Sequence, residues 1–369
     1  MMANECFFRE NFHMSKENFD LLFNLVKDEL VPKRNTRPKD ALPPKLKLAL
    51  VIEFLACGDL QRHIASCYRV SKQYTGIIID LVCEAICRAL KPTVPEHSES
   101  MFLNVANGFN RKWNFPNCIG AIDGKHVAIK APPKSGSIFY NYKGFHSLSL
   151  LAICDASYKF TYLDIGAYGS EGDCSFFRNS KFGSDVLNDR LCFPDNATVN
   201  GVKLPFCFVA DDAFPLCKRI MKPYSGKNLS DEEIIFNYRL SRARRCIENA
   251  FGILCVKWAC LKKLMFCNPD RAQRIIVACC LLHNFLIQQC SVTYCPPSYI
   301  DRIDNHGNLI EGEWRNRILD SQSSLYHTSF SVNAGRSTDY AKYVRNTLKV
   351  YVNSEIGSVP WQRRAAFIE

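Results

Sequence analysis

The sequence predicts an α/β protein, a mixed sheet flanked by helices with an all-helical module ahead of it. Three observations carry this. The first 95 residues show helical periodicity and almost no strand texture; from Cys118 onward four apolar strand-like runs appear, three of them close together; and residues 231–288 are mostly helical again. Strands in succession, a further strand and then helices make a sheet with helices packed on it, rather than a bundle or a sandwich.

The elements follow in order. Ser15 can cap a helix whose apolar residues Phe19, Leu22, Phe23 and Val26 share one face. Prolines at 32, 38, 43 and 44 break the chain, and a second helix spans residues 45–57, with Gly58 as its stop. Asp59 is placed to cap a short helix, Tyr68-Arg69-Val70 to turn, and Ser71 to cap the next helix. That layout is a helix-turn-helix, in which the start of the second helix reads base edges. Lys72, Gln73 and Thr75 are its candidate readers, and an ordinary helical hairpin is the plainer alternative.

Residues 91–100 read as a linker. Strands are predicted at 118–130, 147–154, 160–165 and 206–210, with Asp155-Ala-Ser-Tyr-Lys159 as a hairpin turn. Residues 290–337 are polar and aperiodic. A final amphipathic helix, about 337–352, has Tyr340, Tyr343, Val344, Thr347, Leu348 and Tyr351 on its apolar side. The expected organisation is therefore a helical module (1–95), a sheet domain (96–288), an irregular polar segment (289–336), and a terminal helix with its tail (337–369).

Composition narrows the function. With 47% hydrophobic and 22% charged residues among 369, a sizeable core is available. A net charge of +11 favours a polyanionic partner. No apolar run approaches the length of a membrane span, and the start of the chain lacks a signal-peptide core. The 19 cysteines include no Cys-x-x-Cys, and Cys83/Cys87 and Cys255/Cys260 have no matching second pair. Reduced, buried thiols in a reducing compartment are the expectation, against a zinc site. The tract Lys33-Arg34-Asn-Thr-Arg37-Pro-Lys39 would suit nuclear entry.

Three acids stand out. Asp123 sits in Cys118-Ile-Gly-Ala-Ile-Asp-Gly-Lys-His-Val-Ala-Ile-Lys130, Asp211 ends the run Phe206-Cys-Phe-Val-Ala-Asp211, and Glu248 lies in the basic run Arg244-Arg-Cys-Ile-Glu-Asn-Ala-Phe-Gly252. Each has an ordinary explanation: a turn for Asp123, a helix cap for Asp211, and a surface ion pair with Arg244 or Arg245 for Glu248. Together, two carboxylates at strand ends and one from a helix suit a pair of Mg²⁺ or Mn²⁺ ions, one activating a nucleophile and one stabilising a leaving oxygen. Strand neighbours face opposite ways, so Asp211 and Asp212 are not interchangeable. Arg239, Arg242, Arg244, Arg245, Lys257, Lys262 and Lys263 near Glu248, and Lys125, Lys130, Lys134 and Lys143 near Asp123, would form a phosphate track. His126 is read more readily as a structural donor than as a substrate contact.

These residues resemble the Harbinger-type transposase family and the nucleases derived from it. The resemblance rests on Gly120-Ala-Ile-Asp-Gly-Lys-His126, Asn141-Tyr-Lys-Gly-Phe-His-Ser147, Ala152-Ile-Cys-Asp155, Gly169-Ser-Glu-Gly-Asp173, Ala210-Asp-Asp-Ala-Phe-Pro-Leu216, Arg245-Cys-Ile-Glu-Asn-Ala-Phe-Gly252 and Leu282-His-Asn-Phe285. It implies an RNase H-like core with an Asp-Asp-Glu metal site at Asp123, Asp211 and Glu248, in which Ala210 replaces a usual glycine. Asp173 falls at a further acidic position of the pattern. The resemblance also implies double-stranded DNA as substrate, a separate Myb/SANT-like DNA-binding partner, and a nuclear location, with the cytoplasm and a homo-oligomer both compatible. Lys72, Gln73, Thr75, Arg244 and Arg245 are the candidate DNA contacts. The expected activity is metal-dependent phosphodiester hydrolysis or strand transfer. The alternative is a silent, domesticated adaptor that keeps the fold for DNA or protein binding.

Overall fold

A computed structural model describes residues 5–31, 41–199, 201–304, 309–319, 325–327 and 337–367. The Lys33 to Lys39 tract lies outside the described residues. The chain opens with helices α1 (Glu5–Phe12), α2 (Lys16–Leu30), α3 (Pro44–Cys57), α4 (Gln61–Cys67), α5 (Lys72–Leu90) and α6 (Glu99–Trp113). Strands β1 (Cys118–Ala128), β2 (Ser147–Cys154) and β3 (Phe160–Tyr168) follow. Then come α7 (Asp173–Asn179), α8 (Lys181–Leu187) and the short strands β4 (Ala197–Val199), β5 (Val202–Leu204), β6 (Cys207–Val209) and β7 (Ile220–Met221). The remainder is α9 (Asp231–Lys257), α10 (Pro269–Tyr294), β8 (Arg302–Ile303), β9 (Leu309–Ile310), α11 (Glu313–Leu319), β10 (Leu325–His327), α12 (Asp339–Asn353) and α13 (Gln362–Ala366).

Several local signals act as their chemistry dictates. Ser15 and Ser71 cap α2 and α5, accepting from the Asn18 and Tyr74 amides at 3.2 and 3.1 Å. Gly58 ends α3 in the left-handed region, φ 62°. The Asp155 carboxylate accepts from the Ser157 and Lys159 amides (2.7 and 3.0 Å), closing the turn between β2 and β3. Asp59 departs from expectation. Leu60 occupies the cap of α4, while Asp59 bonds His63 and Lys263.

The main sheet has the order β3-β2-β1-β6-β7. β1, β2 and β3 form an antiparallel meander, and β6 and β7 run parallel to β1, so the sheet is mixed. β10 adds to β1 at Lys125–Val127, beyond the reach of β6. Successive strand residues face opposite sides, and each side has its own core. Ala121, Leu150, Ala152 and Val209 pack with α9 and α10, in a cluster that continues into α2, α3 and α5. Ile122, Leu151, Ile153 and Phe208 pack with Phe102 of α6, Phe177 of α7 and Phe182 of α8.

Three expectations change here. The boundary near residue 95 is a change of sequence texture and not a flexible join: Thr93 is buried, its carbonyl accepts from Asn284 (3.2 Å), and Asp80 of α5 pairs with Arg271 and Arg274 of α10. α6, which no expectation included, begins in the last two residues of the stretch read as linker and runs through residues that were left unassigned. In α12 the buried face is Ala341, Val344, Leu348 and Val352, whereas Tyr340 and Tyr343 are exposed. By length and composition α10 alone among the described residues resembles a membrane span, and most of it is buried within the protein.

Candidate active site

The parallel pairing of β1 with β6 brings the two aspartates together. Ala121 stands opposite Val209. Two residues further along the chain in each case lie Asp123, within β1, and Asp211, just past the end of β6, near enough for the Asp123 charge to act on it. Asp123 is 1% exposed, and its Oδ1 accepts from the Gly124 amide at 3.0 Å. Asp211 accepts from the Ala213 amide, also at 3.0 Å. Burial pushes the Asp211 carboxyl up to about 6, and the Asp123 charge adds to the rise, with Arg244 opposing it. Asp212 is exposed and pairs with Lys222 at 3.0 Å. Asp212 lies in the turn that follows β6, and there its side chain turns to solvent.

Glu248 stands on α9 with its Oε1 3.8 Å from Arg244 Nη1, one turn earlier. The helix thus offers Glu248 toward the sheet face but supplies its counter-ion as well. Among the described residues, no three His, Cys, Asp or Glu side chains are close enough to hold one ion. The structure therefore assembles Asp123 with Asp211 and leaves Glu248 beside Arg244. Paired hard oxygen donors that raise one another's affinity for positive charge are chemically suited to a divalent cation.

A basic group sits among the acids. Lys125 is 4% exposed, its Nζ 3.9 Å from Asp123 Oδ2 and 5.5 Å from the Phe251 ring centre. Burial pushes its ammonium pKa down, and the charges of Asp123 and Glu248 act in the other direction. The sequence signal for Lys125 was available, since it shares the Asp123 face two residues on, but it reads there as one lysine of a phosphate track. A second side of the site was not legible. Asn249 Oδ1 accepts from Trp314 Nε1 and the Asp301 amide (2.9 and 3.0 Å), and Arg315 pairs with Asp301. A Cβ at Gly252 would overlap the Trp314 ring. Part of the supposedly irregular segment 289–336 therefore rests on the helix that carries Glu248.

Other candidates are redistributed. Arg239 (1% exposed) and Arg242 (8%) do not belong to a surface phosphate track. Arg239 donates to the Asn114 and Gly357 carbonyls and to Gln362 Oε1, and Arg242 to the Trp113 carbonyl and Asn114 Oδ1, closing the C-terminal end of α6. Arg244 and Arg245 are half-buried. Lys263 bonds the Cys57 carbonyl and Asp59, and Lys257 lies over Tyr294 and Tyr299.

In the helical module Lys72 and Gln73 are exposed. Thr75 is fully buried and donates to the Ser71 carbonyl at 3.0 Å, so it has no hydroxyl to offer a base. His126 points to the opposite side of β1 from Asp123. Its Nδ1 lies 3.0 and 3.2 Å from Ser147 and Ser149 Oγ, and burial, with the Lys143 charge, pushes it down to about 4. The Asp173 side chain lies outside the described residues. Cys83, Cys118, Cys154, Cys207 and Cys279 are buried, and all nineteen thiols are free.

Comparison with known proteins agrees with this architecture. Residues 122–284 match the family described as DDE superfamily endonuclease. The chain is 28% identical over 300 residues to "Protein ALP1-like" of Arabidopsis thaliana, covering 76% of this chain and 70% of that protein. It is 25% identical over 290 residues to "Putative nuclease HARBI1" of Rattus norvegicus, covering 76% and 78%. To the Homo sapiens protein of the same name it is 24% identical over 286 residues, with the same coverage. No solved structure matches. The match over residues 122–284 is thus to the DDE superfamily endonuclease family, and the chain is similar to the Harbinger transposase-derived proteins.

Proposed function

We propose that the protein is a divalent-metal-dependent DNA endonuclease of the DDE transposase class, built on an RNase H-like sheet. The observation that supports this most directly is the β1–β6 register, which sets Asp123 and Asp211 side by side beneath the helix bearing Glu248. Two Mg²⁺ or Mn²⁺ ions at these acids would polarise the scissile phosphate and acidify the attacking water or 3′-hydroxyl. Asp123 and Asp211 would hold them from adjacent strands, and Glu248 would complete the set once Arg244 turns to a phosphate oxygen. Lys125 would keep the crowded carboxylates together before DNA arrives. Lys72 and Gln73 at the start of α5, together with Arg244 and Arg245, would contact duplex DNA, α4 and α5 acting as a helix-turn-helix. A nuclear location and a separate Myb/SANT-like partner go with this reading.

One observation favours a second reading. Lys125 and Arg244 stand 3.9 and 3.8 Å from Asp123 and Glu248, so two of the three acids have a cation of the chain's own. A silent adaptor would keep such pairs as structural. Cleavage of double-stranded DNA in Mg²⁺ and in Mn²⁺, by wild type and by Asp211→Asn, separates the readings. Wild-type cutting that falls at least a hundredfold in Asp211→Asn is expected. Equal cutting by both, or none by wild type with candidate partners present, rejects the nuclease.

A further inference from the structure

The segment Asn141-Tyr-Lys-Gly-Phe-His-Ser147 has no part in the acid cluster, yet the fold holds it firmly. Asn141 is 2% exposed. Its Oδ1 accepts from the Lys143 and Phe145 amides (3.0 and 3.3 Å), and its Nδ2 donates to Ser147 Oγ at 2.9 Å. Ser147 Oγ in turn meets His126 Nδ1 at 3.0 Å. The turn closes with the Gly144 amide on the Asn141 carbonyl (3.1 Å), the Ser147 amide on the Phe139 carbonyl (2.8 Å), and a bridge between Tyr140 and His146. Gly144 has φ 87°, a backbone that side-chain-bearing residues resist. The turn is therefore tied directly to β1, three residues from Asp123.

A turn fixed this well nonetheless presents aromatic rings to water. Tyr140, Tyr142 and Tyr168 are 46%, 39% and 46% exposed, and none belongs to either core cluster. The setting of Tyr140 and Tyr142 is basic, whereas Tyr168 is followed by Glu171. Residues 129–147 contain Lys130, Lys134 and Lys143, all exposed, and no Asp or Glu. The Tyr142 ring centre lies 6.0 Å from that of His126, on the side of β1 opposite Asp123, so the turn flanks the strand that carries this acid. Exposed rings interleaved with lysines on a rigid support are the elements of a single-strand platform, in which bases stack on the rings and the backbone follows the charge. Rigidity matters because a support that is already ordered loses little entropy on binding.

We propose that the turn around residues 139–147, with Tyr168 beside it, is a stacking platform that holds unpaired bases of a DNA strand along the flank of β1, the strand that carries Asp123. This deepens the nuclease reading and rests on it for the nature of the ligand. Duplex DNA keeps its bases stacked on one another, so the platform favours single-stranded or frayed DNA. A base-stacking surface needs the ring and not the hydroxyl, whereas a surface for a peptide would draw on hydrogen bonding by the tyrosine hydroxyl groups.

The test is fluorescence anisotropy with a labelled mixed-sequence oligonucleotide, single-stranded and as duplex, on the full chain in EDTA. Cleavage plays no part in this readout, so the platform and the nuclease can fail separately. Tyr140→Leu/Tyr142→Leu should weaken single-strand binding about tenfold or more, the scale of base stacking, and duplex binding by much less. Tyr140→Phe/Tyr142→Phe should bind like wild type. Lys143→Gln should lower the salt slope of single-strand binding by about one ion. Circular-dichroism melting checks that each variant is folded; should the leucine pair not fold, the Tyr142→Leu single variant and Lys143→Gln carry the test. Wild-type binding by the leucine variants, an equal loss for duplex and single strand, or a loss in the phenylalanine pair would overturn the proposal.

Discussion

Replacing Asp211 by asparagine should stabilise the metal-free protein. The folded carboxyl is raised from 3.8 to about 6, by burial first and by the Asp123 charge next. At about 1.4 kcal/mol per unit, ionising it in the folded state costs on the order of 3 kcal/mol. The sign follows from proton uptake. Because the folded pKa lies above the unfolded one, the folded protein takes the proton first as pH falls. The cost is therefore fully present above about pH 6 and disappears below about pH 3.8. Asparagine is nearly isosteric, keeps an oxygen for the Ala213 amide and carries no charge. In EDTA at pH 7.5, Asp211→Asn should melt higher, by roughly 4 °C, since an unfolding entropy of about 2.1 cal/mol/K per residue makes each kcal/mol worth little more than about 1 °C in a chain of this length. Near pH 4 the difference should nearly vanish. Adding Mn²⁺ should raise the wild-type melting temperature and leave the variant almost unmoved, so the two curves should converge or cross. Differential scanning fluorimetry across pH, with and without Mn²⁺, measures all of this. A variant less stable than wild type in EDTA at pH 7.5, or a gain that is the same at pH 4, would refute the argument that burial, with the Asp123 charge beside it, makes the ionised Asp211 carboxylate costly.

Two other substitutions probe the cations around the site. Arg239→Met strips the Asn114 and Gly357 carbonyls of a buried donor, so a loss of about 2–4 kcal/mol in urea unfolding is expected, with no change in the salt slope of DNA binding; a reduced slope would return Arg239 to the phosphate track. Arg244→Gln removes the partner 3.8 Å from Glu248, and Mn²⁺ affinity by calorimetry should rise about tenfold as Glu248 becomes available to the ion. Unchanged affinity would mean that Arg244 does not restrain it.

The sheet was readable because its signal is local. The runs from Cys118, Ser147 and Phe160 show their length and turn residues directly, and Asp155 closes its turn by bonding amides two and four residues on. The capping serines are local in the same way. α6 was missed although Ser98 caps it, since the prolines and polar residues before it look like linker. The resting place of Trp314 and Arg315 had no local signal, because it depends on Gly252 and Asn249, some sixty residues earlier. Arg239 and Arg242 were misread for the same reason: a basic helix looks solvated until the carbonyls that bury it are known.

By itself the sequence determined helices α2, α3 and α5 and strands β1, β2, β3 and β6, and it pointed to three acids. Only the tertiary structure decided which acids meet. Parallel pairing of β1 with β6 joins residues almost ninety positions apart, and no periodicity in either strand encodes that register. It also decided that Lys125 is buried with Asp123 while Glu248 stays with Arg244. The physical reason is that charges select partners by distance in the folded state, and distance is set by packing that the chain makes far from the charges themselves.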